Sequence, residues 1–440
     1  MENNIVDKFS IYSIINKTKD KLNKYIKNNN IIDNELDYCF DFMNKQKNIV
    51  MIALQYQNIN ILKIGFGDGF TILLLLMTNP TIKIKCIDKY NNIQIDTFYK
   101  LLKNDYGDRI ELIYSDLEIF TKSKEKFDII YFDILDISCS NINNILLSMG
   151  KKLLFIIDNY DNNKINKIWN KYIIDLNLSE PSYYNSLFES KYQSIKEYNL
   201  INIIAFYTCF FGDDKNCANI INQPPVYLNK TLNNKDIYYN SYYFTNNINT
   251  YNKLNNTNWI RVYIDIPIKN NDIDNAMDSK IIKACPNLLN ILNKYKITCY
   301  YDSKININSY KTERKIIELL ISDYSLMIPI HPFLNTNSVW NEFNESLKQE
   351  RYKLERVKYE NYIYKQIIYG LTDYVSNSNH YTTHFIIRKN NNIIKELNNK
   401  WYEHIKDCGI ECQISFYFIQ QLYKKYICPM TSYECYSYIT

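Results

Sequence analysis

The chain has 440 residues, 46% hydrophobic and 22% charged; that balance excludes a disordered or collagen-like chain, and the length favours two hydrophobic cores over one. Its 52 Lys and Arg against 47 Asp and Glu leave a net charge of +5 with no long basic block, so no nucleic-acid partner is expected. The 11 Cys are odd in number and scattered, which argues against a disulfide framework and for a reducing, cytoplasmic setting.

In chain order, residues 1–56 read as a cap of polar helices, with Ile11, Ile14 and Ile15 at helical spacing. The start, MENNIVDKFSIYSIINKTKDK, lacks a basic stretch followed by an apolar core, and no later run reaches the length of a span, so neither a secretory leader nor a transmembrane segment is expected. Five short apolar runs follow: INILKIGF, IKIKCID, IELIYSD, FDIIYFDI and KLLFIIDNY. They ignore period-two alternation, as strands covered on both faces do, and predict a doubly wound Rossmann-like parallel sheet within a domain over 57–198. The stretch 183–198 reads as a polar helix, with a domain boundary near 198. A second α/β domain over 199–440 opens with LINIIAFYTCFFGDD and continues with NWIRVYIDIPI, KITCYYDSKI and YSLMIPIHP. Helices over 338–372, the strand THFIIR and two more helices complete it. The Asn-rich stretches 160–166 and 246–257 read as loops.

Of only eight Gly, three fall within five residues, Gly65, Gly67 and Gly69, between the strand run at Ile61–Ile64 and the helix-like TILLLLM. A turn there lets a ligand approach bare backbone, facing the amides that open the following helix. Without a ligand, the same glycines would serve a tight strand-to-helix turn. Asp88 ends the next strand, about twenty residues on, within reach of ribose hydroxyls.

The spacing G-F-G-D-G is not the dinucleotide fingerprint G-x-G-x-x-G; it resembles motif I of class I S-adenosylmethionine-dependent methyltransferases. The resemblance implies S-adenosyl-L-methionine as cofactor, with Gly65, Gly67 and Gly69 against it, Asp88 on its ribose and Asp116 beside its adenine. Lys63 departs from the pattern, standing where many relatives carry an acid. The run ILKIGFGDGFTILLLL with YGDRIELIYSD further resembles the metal-dependent small-molecule O-methyltransferases. That implies a Mg²⁺ or Mn²⁺ site on Asp133, Asp158 and Asn159, orienting two substrate hydroxyls. The alternative is that Asp133 is a polar strand end and Asp158 a helix cap. After the fourth strand the chain reads DILD, without the paired prolines of base-methylating enzymes.

All four His, at 331, 380, 384 and 404, lie in the second half. From about 203 to 425, YTCFFGDD, SKIIKACPNLLNILNKYKITCYYDSKI, HPF, ERYKLERVKYENYIYKQIIYGL, THFIIR and WYEHIKDCGIECQISF occur in an order that resembles a glycosyltransferase-like family first described in plants. Members of that family are linked to mucilage and cell-wall glycans, and another is proposed as a ceramidase. The resemblance implies a GT-A-like domain with a sugar-nucleotide donor lying across the strand ends, and a glycan or small-molecule acceptor. Asp302, after the strand KITCYY, would face the diphosphate or its metal, and the absent second acid of a D-x-D pair shifts charge neutralisation to Lys280, Lys283 and Lys304. Relatives often place an acid directly before Gln-x-Ser; here Cys412 stands there, with Glu411 one residue earlier. Glu411, Gln413, Asp302 and His331 are therefore the catalytic candidates. His404, Cys408 and Cys412 offer a zinc spacing that Gly409 would interrupt. Together the two halves read as a bifunctional glycan-modifying transferase; the alternatives are a glycosyltransferase on a decayed methyltransferase scaffold and a non-catalytic glycan- or protein-binding module.

Overall fold

The computed structural model describes residues 8–29, 40–115, 127–132, 149–158, 179–181, 184, 187–188, 190, 193–213, 221–229, 235–332, 334, 337–375, 380–431 and 433–439. Two compact units emerge: Met1–Leu200 with Leu228–Asp236, and Ile201–Tyr227 with Ile237–Thr440.

The first unit runs α1 (Lys8–Asn29), α2 (Phe40–Gln55), β1 (Asn60–Ile64), α3 (Phe70–Thr78), β2 (Lys83–Asp88), α4 (Ile93–Tyr106), β3 (Ile110–Tyr114), β4 (Phe127–Phe132), β5 (Met149–Asp158) and β6 (Gln193–Asn199). The sheet order is β3-β2-β1-β4-β5-β6, parallel except for β6, which runs against β5. α3 is apolar nearly all round, with Ile72 and Leu73 to Leu76 buried, because α1 and α2 pack on it. Ile11, Ile15, Val50 and Ile52 join Leu73, Ile84 and Ile129 in one core, each such side chain contributing roughly 1.5–3 kcal/mol relative to exposure.

The segment expected as a polar helix over 183–198 contains strand β6 instead. Its alternation is masked because Gln193 and Glu197, which flank Ile195 on the buried face, are polar: Gln193 donates to Asp158 Oδ1 at 3.0 Å and accepts from Asn48 Nδ2 at 3.1 Å. Partners distant in sequence thus override local helix preference.

The second unit begins with β7 (Ile204–Phe210), after which β8 (Val226–Asn229) and β9 (Lys235–Tyr238) form a two-stranded ladder. β10 (Asn240–Thr245), β11 (Ile260–Tyr263), α5 (Asp272–Ala284), β12 (Ile297–Tyr301), β13 (Ile305–Ile307), α6 (Ser309–Ile321) and β14 (Leu326–Pro329) follow. The chain then runs through α7 (Val339–Ser346), α8 (Arg356–Ile368), β15 (Phe385–Lys389), α9 (Asn392–Cys408), α10 (Cys412–Tyr423), β16 (Ile427–Met430) and β17 (Tyr436–Tyr438). Seven strands in the order β11-β10-β7-β12-β15-β14-β16 make a sheet in which β15 alone is reversed. β13 pairs with β17 in a separate antiparallel ladder.

Arg388, fully buried on β15, donates from Nη1 to Tyr207 Oη at 2.8 Å and from Nη2 to the Lys283 carbonyl at 2.9 Å. It ties the reversed strand to β7 and to the end of α5. Part of the Asn-rich stretch expected as a loop is a short helix, Ile248–Lys253, because Asn247 caps it by accepting from the Thr250 N–H at 2.9 Å.

In each sheet the first strand lies between the second strand of its series and a later one: β1 between β2 and β4, β7 between β10 and β12. Such a switch point opens a crevice at the carboxyl ends of the strands. Among the described residues the cysteines are free and no helix is long and apolar enough to cross a membrane.

Candidate functional site

At the switch point of the first sheet, Gly65, Gly67 and Gly69 have φ of 85°, 62° and 74°, a left-handed geometry that costs other residues roughly 1–2 kcal/mol. The bend is braced from β2. Gly65 donates its N–H to the Ile87 carbonyl at 2.8 Å, and Phe66 donates its N–H to Asp88 Oδ2 at 2.7 Å. Asp88 Oδ1 accepts from the Tyr90 N–H at 3.0 Å. Asp88 therefore pins two loops, and each carboxylate oxygen keeps acceptor capacity for a ligand hydroxyl.

A Cβ at Gly69 would lie 2.3 Å from the Phe98 ring, so the third glycine admits α4 rather than a ligand. Lys63 is fully buried, and its Nζ donates to the carbonyls of Gly65 at 2.6 Å and Phe66 at 3.2 Å, 5.3 Å from the centre of the Tyr131 ring. A cation thus sits beneath the bend.

Asp116, Asp133 and Asn159 lie outside the described residues. Asp158 is 5% exposed and engaged by protein groups: Tyr131 Oη, Gln193 Nε2 and, at 3.4 Å, Lys45 Nζ. Among the described residues no cluster of three or more His, Cys, Asp or Glu could hold a metal ion.

The second unit holds a cavity of about 1170 Å³ at the ends of β7 and β12. Lys280 and Lys283 from α5, Asp302 after β12, His331 after β14, and Glu411 and Gln413 at the start of α10 all line it. Four separate stretches of sequence therefore bring their candidates to one place. Asp302 Oδ1 accepts from Tyr300 Oη at 2.6 Å and faces Lys283 Nζ at 3.4 Å, while its N–H donates to the His384 carbonyl at 2.9 Å.

Burial alone would push the Asp302 carboxyl up, but Lys283, the Tyr300 hydroxyl, His384 and Lys280 hold it below the usual Asp value. Burial would likewise lower Lys283, and Asp302 keeps its ammonium above the usual Lys value. His331 is pushed down to about 4, first by burial and then by His380, against Glu345. His384 also falls to about 4, by burial, with Asp302 opposing and Lys283 and His331 reinforcing. Both imidazoles are thus neutral at pH 7.

The candidate zinc triad does not converge. His404 Nδ1 hydrogen-bonds with Tyr362 Oη at 2.7 Å, Gly409 ends α9 at φ 122°, and Cys412 Sγ meets Lys280 Nζ at 3.6 Å and Thr383 Oγ1 at 3.2 Å.

Sequence reasoning missed Glu342, a 4% exposed residue of α7 on the cavity wall. Gln413 Nε2 donates to its Oε1 at 2.6 Å, and its Oε2 is buried without a hydrogen-bond partner. The carboxyl is pushed up to about 8 by burial and then by the charge of Glu411, with the Gln413 bond opposing and Glu345 reinforcing. No motif marks it. The available signal is spacing: Val339, Glu342, Phe343 and Ser346 share the buried face of α7, and an acid in an apolar stripe needs a reason.

The first unit is a Rossmann-like α/β fold on a mostly parallel sheet, and the second a further α/β fold on a mixed sheet. No protein-family model matches the chain and no curated protein matches it. Solved structures with some likeness include the SAH-bound methyltransferase PaMTH1 from Podospora anserina, at 14% identity and TM-score 0.30, covering 45% of this chain and 96% of that one. A Staphylococcus aureus protein assigned as a caffeoyl-CoA O-methyltransferase shows 15% identity and TM-score 0.30, covering 44% of this chain and 100% of that one. A Galdieria sulphuraria protein assigned as a sarcosine dimethylglycine methyltransferase shows 13% identity and TM-score 0.23, with 27% of this chain covered and less than half, 45%, of the other.

Proposed function

We propose that the chain is a bifunctional glycan-modifying transferase: the second unit moves a sugar from a nucleotide donor to a hydroxyl acceptor, and the first moves a methyl group from S-adenosylmethionine to a hydroxyl. The observation that carries the glycosyl half is the convergence of Lys280, Lys283, Asp302, His331, Glu411 and Gln413 on one cavity at a switch point. In this reading Lys280, Lys283 and the exposed Lys304 neutralise the departing diphosphate. Asp302, fixed by Tyr300 and Lys283, orients the donor. Glu411, with its Oε1 held by the Gln413 N–H at 3.0 Å, takes the acceptor proton.

For the methyl half, the bare backbone at Gly65 and Gly67 and the spare acceptor capacity of Asp88 suit an adenosyl group. The cofactor, when bound, supplies an electrophilic methyl on a sulfonium. Lys63 favours a second reading, in which the first unit holds an adenosyl ligand without transfer, since a buried ammonium opposes a nearby sulfonium.

The test is a mass-spectrometric screen of the full chain against methyl and sugar donors with pooled acceptors, paired with titration calorimetry against S-adenosylmethionine. Sugar transfer is expected from the wild type, and its loss in Asp302→Ala by about 100-fold or more. Equal turnover in that variant removes the cavity from the reaction; binding of cofactor without methyl transfer selects the second reading.

A further inference from the structure

Bases and acids both line the cavity. Lys280 and Lys283 lie on α5 with Asp302 facing Lys283, and α7 and the start of α10 present Glu342, Glu345 and Glu411; the two groups adjoin where Lys280 Nζ meets Cys412 Sγ at 3.6 Å. The lysines suit a diphosphate and the acids a hydroxyl about to lose a proton. One side chain joins the acids: Gln413 donates from its backbone N–H to Glu411 Oε1 at 3.0 Å and from Nε2 to Glu342 Oε1 at 2.6 Å. Its Oε1 is fixed in turn by the Thr383 N–H at 3.3 Å.

We propose that Glu342 is a positioning residue for sugar transfer, acting through Gln413 to fix the orientation of Glu411 as that carboxylate receives the acceptor proton. The inference rests on the glycosyl-transfer reading above. The acceptor O–H proton passes to Glu411, the acceptor oxygen bonds to the anomeric carbon, and the bond from that carbon to the diphosphate breaks, its electron pair leaving with the phosphate. Glu342 is not consumed.

The position of Glu342 suits this role. It is buried on the apolar stripe of α7, and its Oε2 lacks a partner, so its ionised form is costly there. The groups that act on it are Glu345 from its own helix and Glu411 and Gln413 from the start of α10. Burial and the neighbouring Glu411 hold Glu342 up to about 8, so it is neutral at pH 7. Above pH 8 it adds a negative charge beside the base.

Steady-state kinetics from pH 6 to 9.5 on the wild type, Glu342→Gln and Glu342→Ala tests the role. The wild-type kcat profile should break near pH 8, and Glu342→Gln, which keeps the acceptor oxygen but cannot titrate, should lack that break. Glu342→Ala should lower kcat about tenfold or more with donor KM little changed, and Glu342→Gln should recover most of that loss. A break near pH 8 that persists in Glu342→Gln, or a wild-type kcat in Glu342→Ala, overturns the proposal. Calorimetry with UDP and GDP separates the two claims: a wild type that neither binds them nor turns over removes the transferase reading itself. Nucleotide binding with kinetics indifferent to Glu342 removes only the positioning role.

Discussion

Gly69 carries two constraints at one position. Its φ of 74° disfavours a side chain, and Phe98 of α4 fills the space a Cβ would need. Gly69→Ala should therefore destabilise the protein by about 1–3 kcal/mol, measured by urea unfolding followed through far-ultraviolet circular dichroism. An unchanged midpoint would mean that bend and helix shift without cost. Lys63 is the converse case, a residue whose type departs from its surroundings. Its ammonium replaces the charge of an expected acid with hydrogen bonds to the carbonyls of Gly65 and Phe66, so the bend keeps its shape while its electrostatic sign inverts.

At the scale of elements, α5 carries the cavity lysines Lys280 and Lys283 and is capped by Asn271, whose side chain accepts from the Asp274 N–H at 2.8 Å. Asn271→Ala should cost about 1 kcal/mol, and a melting temperature equal to that of the wild type would show the cap to be redundant. The elements most legible from the sequence are those whose side chains state their burial. β4 and β12 are nearly continuous apolar runs, and continuous runs mean strands covered on both faces. β6 was not legible because its inward positions include Gln193 and Glu197, polar residues whose partners are remote in sequence. Glu342 was hidden for a related reason: burial of an acid follows from the packing of α7 against α10, which no local pattern records. By contrast Asp302, His331, Glu411 and Gln413 sit at element ends, and element ends at one sheet edge meet in space.

For the whole molecule, stability should depend on pH with two opposite slopes. His331 and His384 have folded values near 4 against 6.5 unfolded, so between those limits the unfolded chain binds the extra protons and stability falls as pH drops. Glu342, near 8 folded against 4.5 unfolded, keeps a proton in the folded state, so its contribution falls as pH rises across that window. His380 and His404 are lowered by burial in the same direction, so at acid pH the histidines outweigh the one acid, and above the ordinary His range the acid dominates. The melting temperature should therefore peak near neutral pH and decline on both sides, and a flat profile from pH 4.5 to 9 would refute the assignment.

The sheet of the second unit also sets an order of events during synthesis. β14 pairs with β16, and β13 with β17, across about a hundred residues or more of intervening chain. While a ribosome is still making the helices between them, β13 and β14 have emerged with backbone groups awaiting partners that do not yet exist. The reversed strand β15 reaches β14 first and covers one flank, but the other stays open to foreign strands until residue 430 is out. A nascent chain stalled before that point is the form most prone to cling to its neighbours on a crowded polysome.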